Sequence, residues 1–208
     1  MAHHDFTPDH YHTTIGWHDP VLEIDSGDTV ATTTVDARGR DQTGERVTPR
    51  GNPMTGPFFV RGAEEGDTLI VHLEELTPNR PWGWTGGQVA ANVLEPGFTP
   101  EFHDNPKPQF DDDARPSFRW NVDLEAGAVQ LATGDGPMTR TPIALDPMVG
   151  CFGVGPAGGQ AISTATSSTH GGNMDYRGFR QGAQVQFPVF APGALFHLGD
   201  GHATQGDG

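Results

Sequence analysis

The sequence predicts an all-β protein, a β-sandwich or barrel-like fold with long irregular loops and little helix. Three observations carry that prediction. Gly 29 and Pro 18 in 208 residues make the chain turn-rich, and continuous helix-forming runs are hard to find. Four segments repeat one grammar, a glycine turn followed by a small or polar residue and an apolar strand. They are Glu23-Ile-Asp-Ser-Gly-Asp-Thr-Val30, Ala63-Glu-Glu-Gly-Asp-Thr-Leu69, Leu124-Glu-Ala-Gly-Ala-Val129 and Phe190-Ala-Pro-Gly-Ala-Leu195. Elsewhere apolar residues alternate with polar ones at the two-residue period of a half-buried strand.

Along the chain, residues 1–14 are expected to be a polar, His-rich leader holding His3, His4, His10 and His12, and residues 15–208 a single β domain. His-rich starts can bind metal, but these histidines have no fixed spacing. Residues 29–36 are threonine-rich and extended. In residues 68–76, Leu69, Val71 and Leu73 share one face, with His72 and Glu74 on the other. Residues 77–118 read as one long irregular region, with Trp82 and Trp84 packed on something and a helical turn around residues 88–94. Residues 119–124 and 128–132 resemble a hairpin pair. Residues 147–156, Pro-Met-Val-Gly-Cys-Phe-Gly-Val-Gly-Pro, read as a buried strand that can line a pocket with backbone groups. In residues 184–190, Val185, Phe187 and Val189 alternate with polar positions, and Pro188 marks an edge or bulge.

Composition narrows the function. Asp+Glu 27 against Lys+Arg 12 gives a net charge of -15, with Lys107 the only lysine. That balance argues against nucleic acid and anionic membrane surfaces, whose phosphates need cations. An acidic coat with arginine in place of lysine looks like that of a salt-adapted cytoplasmic protein. Cys151 is the only cysteine, so no internal disulfide forms, and its apolar surroundings read as those of a small buried hydrophobe. The N-terminus lacks the charged and apolar regions of a signal peptide. No stretch approaches the roughly 18 apolar residues of a membrane span.

The residues that can carry chemistry gather late in the chain. The last eleven residues interleave Asp200, His202, Gln205 and Asp207 with four glycines. Asp200 and His202 are two apart, so an extended backbone points both to one side. That suits two ligands of one cation, which accepts imidazole nitrogen with carboxylate oxygen. A second cluster, His170-Gly-Gly-Asn-Met-Asp-Tyr-Arg177, repeats the spacing with Asn173 and Asp175. The two clusters flank residues 184–198, a unit able to bring them together. No Gly-x-Ser-x-Gly elbow is present, and the single lysine lies between prolines. An amide hydrolase built on this sequence would therefore use metal-activated water.

The run Gly171-Gly-Asn-Met-Asp, then Phe187-Pro-Val-Phe, Gly193-Ala-Leu-Phe and Gly199-Asp-Gly-His-Ala-Thr-Gln-Gly-Asp-Gly, resembles the acetamidase/formamidase family. So do Thr55-Gly-Pro-Phe-Phe-Val-Arg-Gly-Ala-Glu-Glu-Gly-Asp and Trp120-Asn-Val-Asp-Leu-Glu-Ala-Gly. The resemblance covers most of residues 15–208. It implies a β-rich, oligomeric, cytoplasmic enzyme that hydrolyses short aliphatic amides to carboxylate and ammonia with a divalent metal, zinc first, calcium or another ion as alternatives. Asn173, Asp175, Asp200, His202, Gln205 and Asp207 match the family's polar motif positions. We assign Asp175, Asp200 and His202 to the metal, Asn173 and Gln205 to orienting the amide, and Asp207 to a base. In the family the terminal motif continues Gly-Asp-Gly-Glu; here it stops at Gly208, so the domain is expected to be incomplete at that end. The alternatives are a non-catalytic β-sandwich binding module, with a cation steadying its loops and Trp82 and Trp84 as a ligand platform, and an inactive amidase fragment.

Overall fold

The structure is a computed structural model, and it describes residues 1–86, 95, 117–132 and 136–206. The expected helical turn at residues 88–94 lies outside these. The fold is all-β: the described residues are 42% strand and 4% helical, and among them there is no helix of seven or more residues and no closed sheet. In chain order the strands are β1 (His3–Phe6), β2 (Thr14–Gly16), β3 (Leu22–Ile24), β4 (Thr29–Thr32), β5 (Met54–Val60), β6 (Thr68–His72), β7 (Trp82–Gly86) and β8 (Ser117–Asp123). They continue with β9 (Ala128–Leu131), β10 (Ile143–Ala144), β11 (Met148–Gly153), β12 (Ala161–Ser163), β13 (Ser167–Ser168), β14 (Gly171–Asn173), β15 (Gln184–Pro188) and β16 (Phe196–His202).

The chain divides into two compact units, residues 1–79 with 146–208, and residues 80–145. The first is organised on a six-stranded sheet of order β13-β14-β11-β16-β5-β3, accompanied by the pairs β1-β4, β12-β2 and β15-β6. The second holds a four-stranded sheet, β10-β9-β8-β7.

The repeated glycine turns do what their sequence requires. Gly27, Gly66, Gly127 and Gly193 all have positive φ, a backbone region open to glycine at little cost. They precede β4, β6, β9 and β16 respectively.

The alternating segments pair with each other. β15 runs antiparallel to β6 with Val185 opposite Val71 and Phe187 opposite Leu69. Their apolar faces pack onto a core of Phe58, Leu73, Val149, Phe152, Val154, Phe187, Val189, Ala194 and Phe196. Phe152 sits at its centre, edge-on to Phe179 at 4.9 Å and to Phe187 at 5.4 Å between ring centroids. Such edge-to-face pairs add to the area they bury.

Two stretches differ from expectation. The first fourteen residues contain β1, which pairs in parallel with β4. Asp28 holds them there by accepting from the Ala2 backbone N–H at 2.6 Å and from the His4 ring at 2.9 Å. Within the region expected to be irregular, residues 82–86 form β7, antiparallel to β8. Cross-strand pairing there overrides the weak strand preference of a Trp-Gly-Trp-Thr-Gly segment. The expected hairpin is present, with Trp120 opposite Leu131 in β8 and β9.

Candidate metal centre

The site is built on β11 and its two neighbours. Cys151 is opposite Asn173 of β14 on one side and Gly199 of β16 on the other. β11 therefore brings the two polar clusters of the sequence to one place. Its residue Gly150 accepts two backbone hydrogen bonds at its carbonyl, from Met174 N at 2.9 Å and Asp175 N at 3.0 Å. These fix the turn that carries the Asp175 side chain.

Asp175, Asp200 and His202 each offer a ligand atom, and these atoms lie within 4.8 Å of one another. His202 Nε2 is 3.3 Å from Asp200 Oδ1. On the far edge of the ring, Nδ1 donates to Gln205 Oε1 at 2.8 Å. A side-chain carbonyl only accepts, so it selects the tautomer with hydrogen on Nδ1 and the lone pair on Nε2. A cation's ligand histidine is commonly held this way.

Gly150 leaves the space between these groups. A Cβ there would lie 2.8 Å from Asp175 Oδ1, 2.9 Å from His202 Nε2 and 3.1 Å from Asp200 Oδ2. The three polar atoms converge on the space beside Gly150, which is too small for even a methyl group. Asp175 Oδ1 is buried and has no hydrogen-bond partner, a costly arrangement for a carboxylate unless something else meets it. One imidazole and two carboxylates suit zinc or another divalent ion, with bonds of roughly 2.0–2.6 Å. The residues present fit a cation.

The charges respond to this crowding. Burial pushes the Asp175 carboxyl up, and the Asp200 charge adds to the effect while His202 opposes it. Burial also acts to lower His202, but the hydrogen bond and charge of Asp200, with Gln205 and Asp175, outweigh it and raise the imidazole to about 9. With no cation bound, a proton on Nε2 serves the same electrostatic end.

The backbone is specialised here. Asp175 has φ 42° and Asp200 φ 57°, left-handed values that aspartate tolerates better than most residues. Asn173 lies beside the cradle, but its Oδ1 accepts from Asn52 Nδ2 at 3.2 Å. Gln205 is engaged through His202. Asp207 lies outside the described residues.

Sequence reasoning missed Asn52, Gly150 and Thr164. Asn52 reaches Asp200 and Asn173, and Thr164 is fully buried with its carbonyl accepting from Asn52 Nδ2 at 3.3 Å. The only signals were the Gly-Asn-Pro turn ahead of Thr55-Gly-Pro and the glycine inside an apolar strand, which marks close approach.

Other candidates have structural roles. Cys151 is fully buried, and burial pushes its thiol up, away from the reactive thiolate. His12 and His18 stack with centroids 3.8 Å apart, and His197 meets His18 edge-on at 5.7 Å. Burial lowers His197 to about 3 and His12 to about 4, with neighbouring histidines contributing. Among the described residues, Asp175, Asp200 and His202 are the group of three whose ligand atoms converge. In the second unit, the guanidinium carbons of Arg80 and Arg119 lie 4.0 Å and 4.6 Å from the Trp82 ring centroid. The π surface expected of a ligand platform is already engaged by cations.

Comparison with known proteins points to one family. Residues 136–208 match the model of the Acetamidase/Formamidase family. An acetamidase of Mycolicibacterium smegmatis is 30% identical over 202 residues, covering 74% of this chain and 48% of the relative. The crystal structure of an acetamidase from Yersinia enterocolitica superposes with a TM-score of 0.74 at 29% identity, covering 99% of this chain and 62% of that one. An acetamidase from Bacillus halodurans gives 0.73 at 26% identity, covering 98% of this chain and 63% of that one. The chain spans about half the length of the curated relatives it matches. No helix among the described residues is long and apolar enough to cross a membrane.

Proposed function

We propose that this chain, which belongs to the acetamidase/formamidase family, carries the cation-binding site of an enzyme that hydrolyses short aliphatic amides to carboxylate and ammonia. The observation that supports this reading is the convergence of Asp175, Asp200 and His202 on one cradle opposite Gly150.

A divalent cation bound there, zinc by its ligand preference and calcium as the alternative, supplies Lewis acidity and makes a water at the site a usable nucleophile near neutral pH. The chain's own residues do the rest. Gln205 holds the His202 ring so that Nε2 faces Asp200. Asp175 would complete the ligand set with Asp200 and His202, and Asp207, the base in this reading, would take the proton released as water oxygen adds to the amide carbon. That proton goes to the nitrogen as the C–N bond breaks, releasing ammonia and the carboxylic acid, whose remaining proton passes to ammonia or solvent to give the carboxylate. Asn173 and Gln205 orient the amide. The enzyme is a cytoplasmic homo-oligomer in this reading, and its acidic surface is an adaptation to salt.

The test is ammonia release from formamide and acetamide at low and high salt, with metal analysis, on this chain and on one extended past Gly208. The reading expects metal at about one equivalent per chain and loss of both metal and activity in His202→Ala. Unchanged activity in that variant would remove His202 from the site.

A further inference from the structure

We infer that Asn52 is a positioning and specificity residue of this site, holding Asp200 and Asn173 with its amide nitrogen and reading a substrate N–H with its oxygen. The inference rests on the amidase reading for its substrate half only.

Three acceptors surround Asn52 Nδ2: Asp200 Oδ2 at 3.2 Å, Asn173 Oδ1 at 3.2 Å and Thr164 O at 3.3 Å. That environment settles which end of the carboxamide is nitrogen, because an oxygen there would face three oxygens. Two N–H bonds are shared among the three, tying β14, β16 and the loop after β12 to one side chain. Asp200 Oδ2 is also one of the atoms facing the hollow at Gly150. Asn52 therefore fixes the rotamer of a ligand carboxylate, the supporting role that such outer groups play at metal sites.

The backbone shows that this position is specialised. Asn52 has φ 59°, and its loop is pinned by Thr164, whose hydroxyl lies 2.8 Å from Gly51 O and 3.0 Å from Thr13 O. Asparagine is among the few residues that take such a φ readily.

The remaining atom, Asn52 Oδ1, is buried and has no partner. It belongs to the same planar group whose nitrogen touches Asp200 and Asn173. A buried acceptor without a donor costs stability, and a ligand carrying an N–H would supply one. A primary amide does; an ester or a fully N-substituted amide does not. A site built to bond an N–H rejects analogues that lack it, since their binding leaves the acceptor unpaired.

The experiment uses the whole chain and Asn52→Gly, which keeps the left-handed backbone while removing the carboxamide. In cation-free protein, NMR should show slow exchange of the Asn52 Nδ2 protons, accelerated by Asp200→Ala and by Asn173→Ala. Asn52→Gly should bind zinc about 10–100-fold more weakly and lose the preference for acetamide over N,N-dimethylacetamide. Exchange that neither substitution alters, or an Asn52→Gly protein that keeps both zinc affinity and preference, would overturn the assignment. A wild-type chain that binds neither zinc nor acetamide, with the exchange pattern as expected, would overturn the amidase reading and leave the Asn52–Asp200 link standing.

Discussion

His202 donates its Nδ1–H to Gln205 Oε1 across 2.8 Å, and that bond decides which face of the imidazole the rest of the site meets. With Nδ1 occupied, Nε2 is left beside Asp200 Oδ1 at 3.3 Å. Gln205→Leu should therefore keep the fold and lower zinc affinity about 10–100-fold, the usual effect of losing such a partner. Isothermal titration calorimetry checks this; an unchanged affinity would show that the ring needs no anchor.

The buried histidines predict an acid-sensitive fold. His197 is fully buried, donates Nδ1–H to Leu195 O at 2.9 Å, and is lowered by burial to about 3. Between the ordinary value of 6.5 and about 3, the unfolded chain binds the proton and the folded chain does not. Stability from this group is present above pH 6.5 and falls as pH drops through that window, by up to about 1.4 kcal/mol per pH unit. Urea unfolding of wild type and His197→Gln from pH 7 to 4 should show the steeper loss in wild type. Parallel curves would contradict the assignment.

Phe152 anchors the core by contact with Phe179, Phe187 and Phe196 and is fully buried. Phe152→Ala should cost about 3–5 kcal/mol, read as a lower denaturant midpoint with an unchanged slope. A loss under about 1 kcal/mol would mean the aromatic cluster is not the centre of packing.

The sequence made the strands legible where periodicity and turn chemistry agree. Leu69 and Val71 lie opposite Phe187 and Val185 because alternation dictates which residues share a face. Asp200 and His202 meet as their spacing predicts, although Asp200 has a left-handed φ that simple alternation does not contain. Asn173 and Asp175, with the same spacing, do different things: Asp175 faces the cradle while Asn173 bonds to Asn52. Asn52 and Gly150 were hidden because their roles exist only once register is set. Gly150 matters because β11 pairs with β14 and β16 at once, and Asn52 because a loop 148 residues away in sequence lies against Asp200. No local pattern encodes either relation. β7 was missed because its glycines weaken any strand signal until β8 pairs with it.

The central claim is that Asp175, Asp200 and His202 hold a divalent cation in the space that Gly150 leaves. Gly150 lacks a left-handed φ, so alanine fits its backbone, yet its methyl would stand 2.8–3.1 Å from all three polar groups. The decisive measurement is zinc titration of wild type against Gly150→Ala, with circular dichroism confirming that both fold. The wild type should show roughly one site, and the variant an affinity loss of about 100-fold, the upper end of what loss of a supporting group costs a metal site. A folded Gly150→Ala protein that binds zinc as tightly as wild type would contradict it.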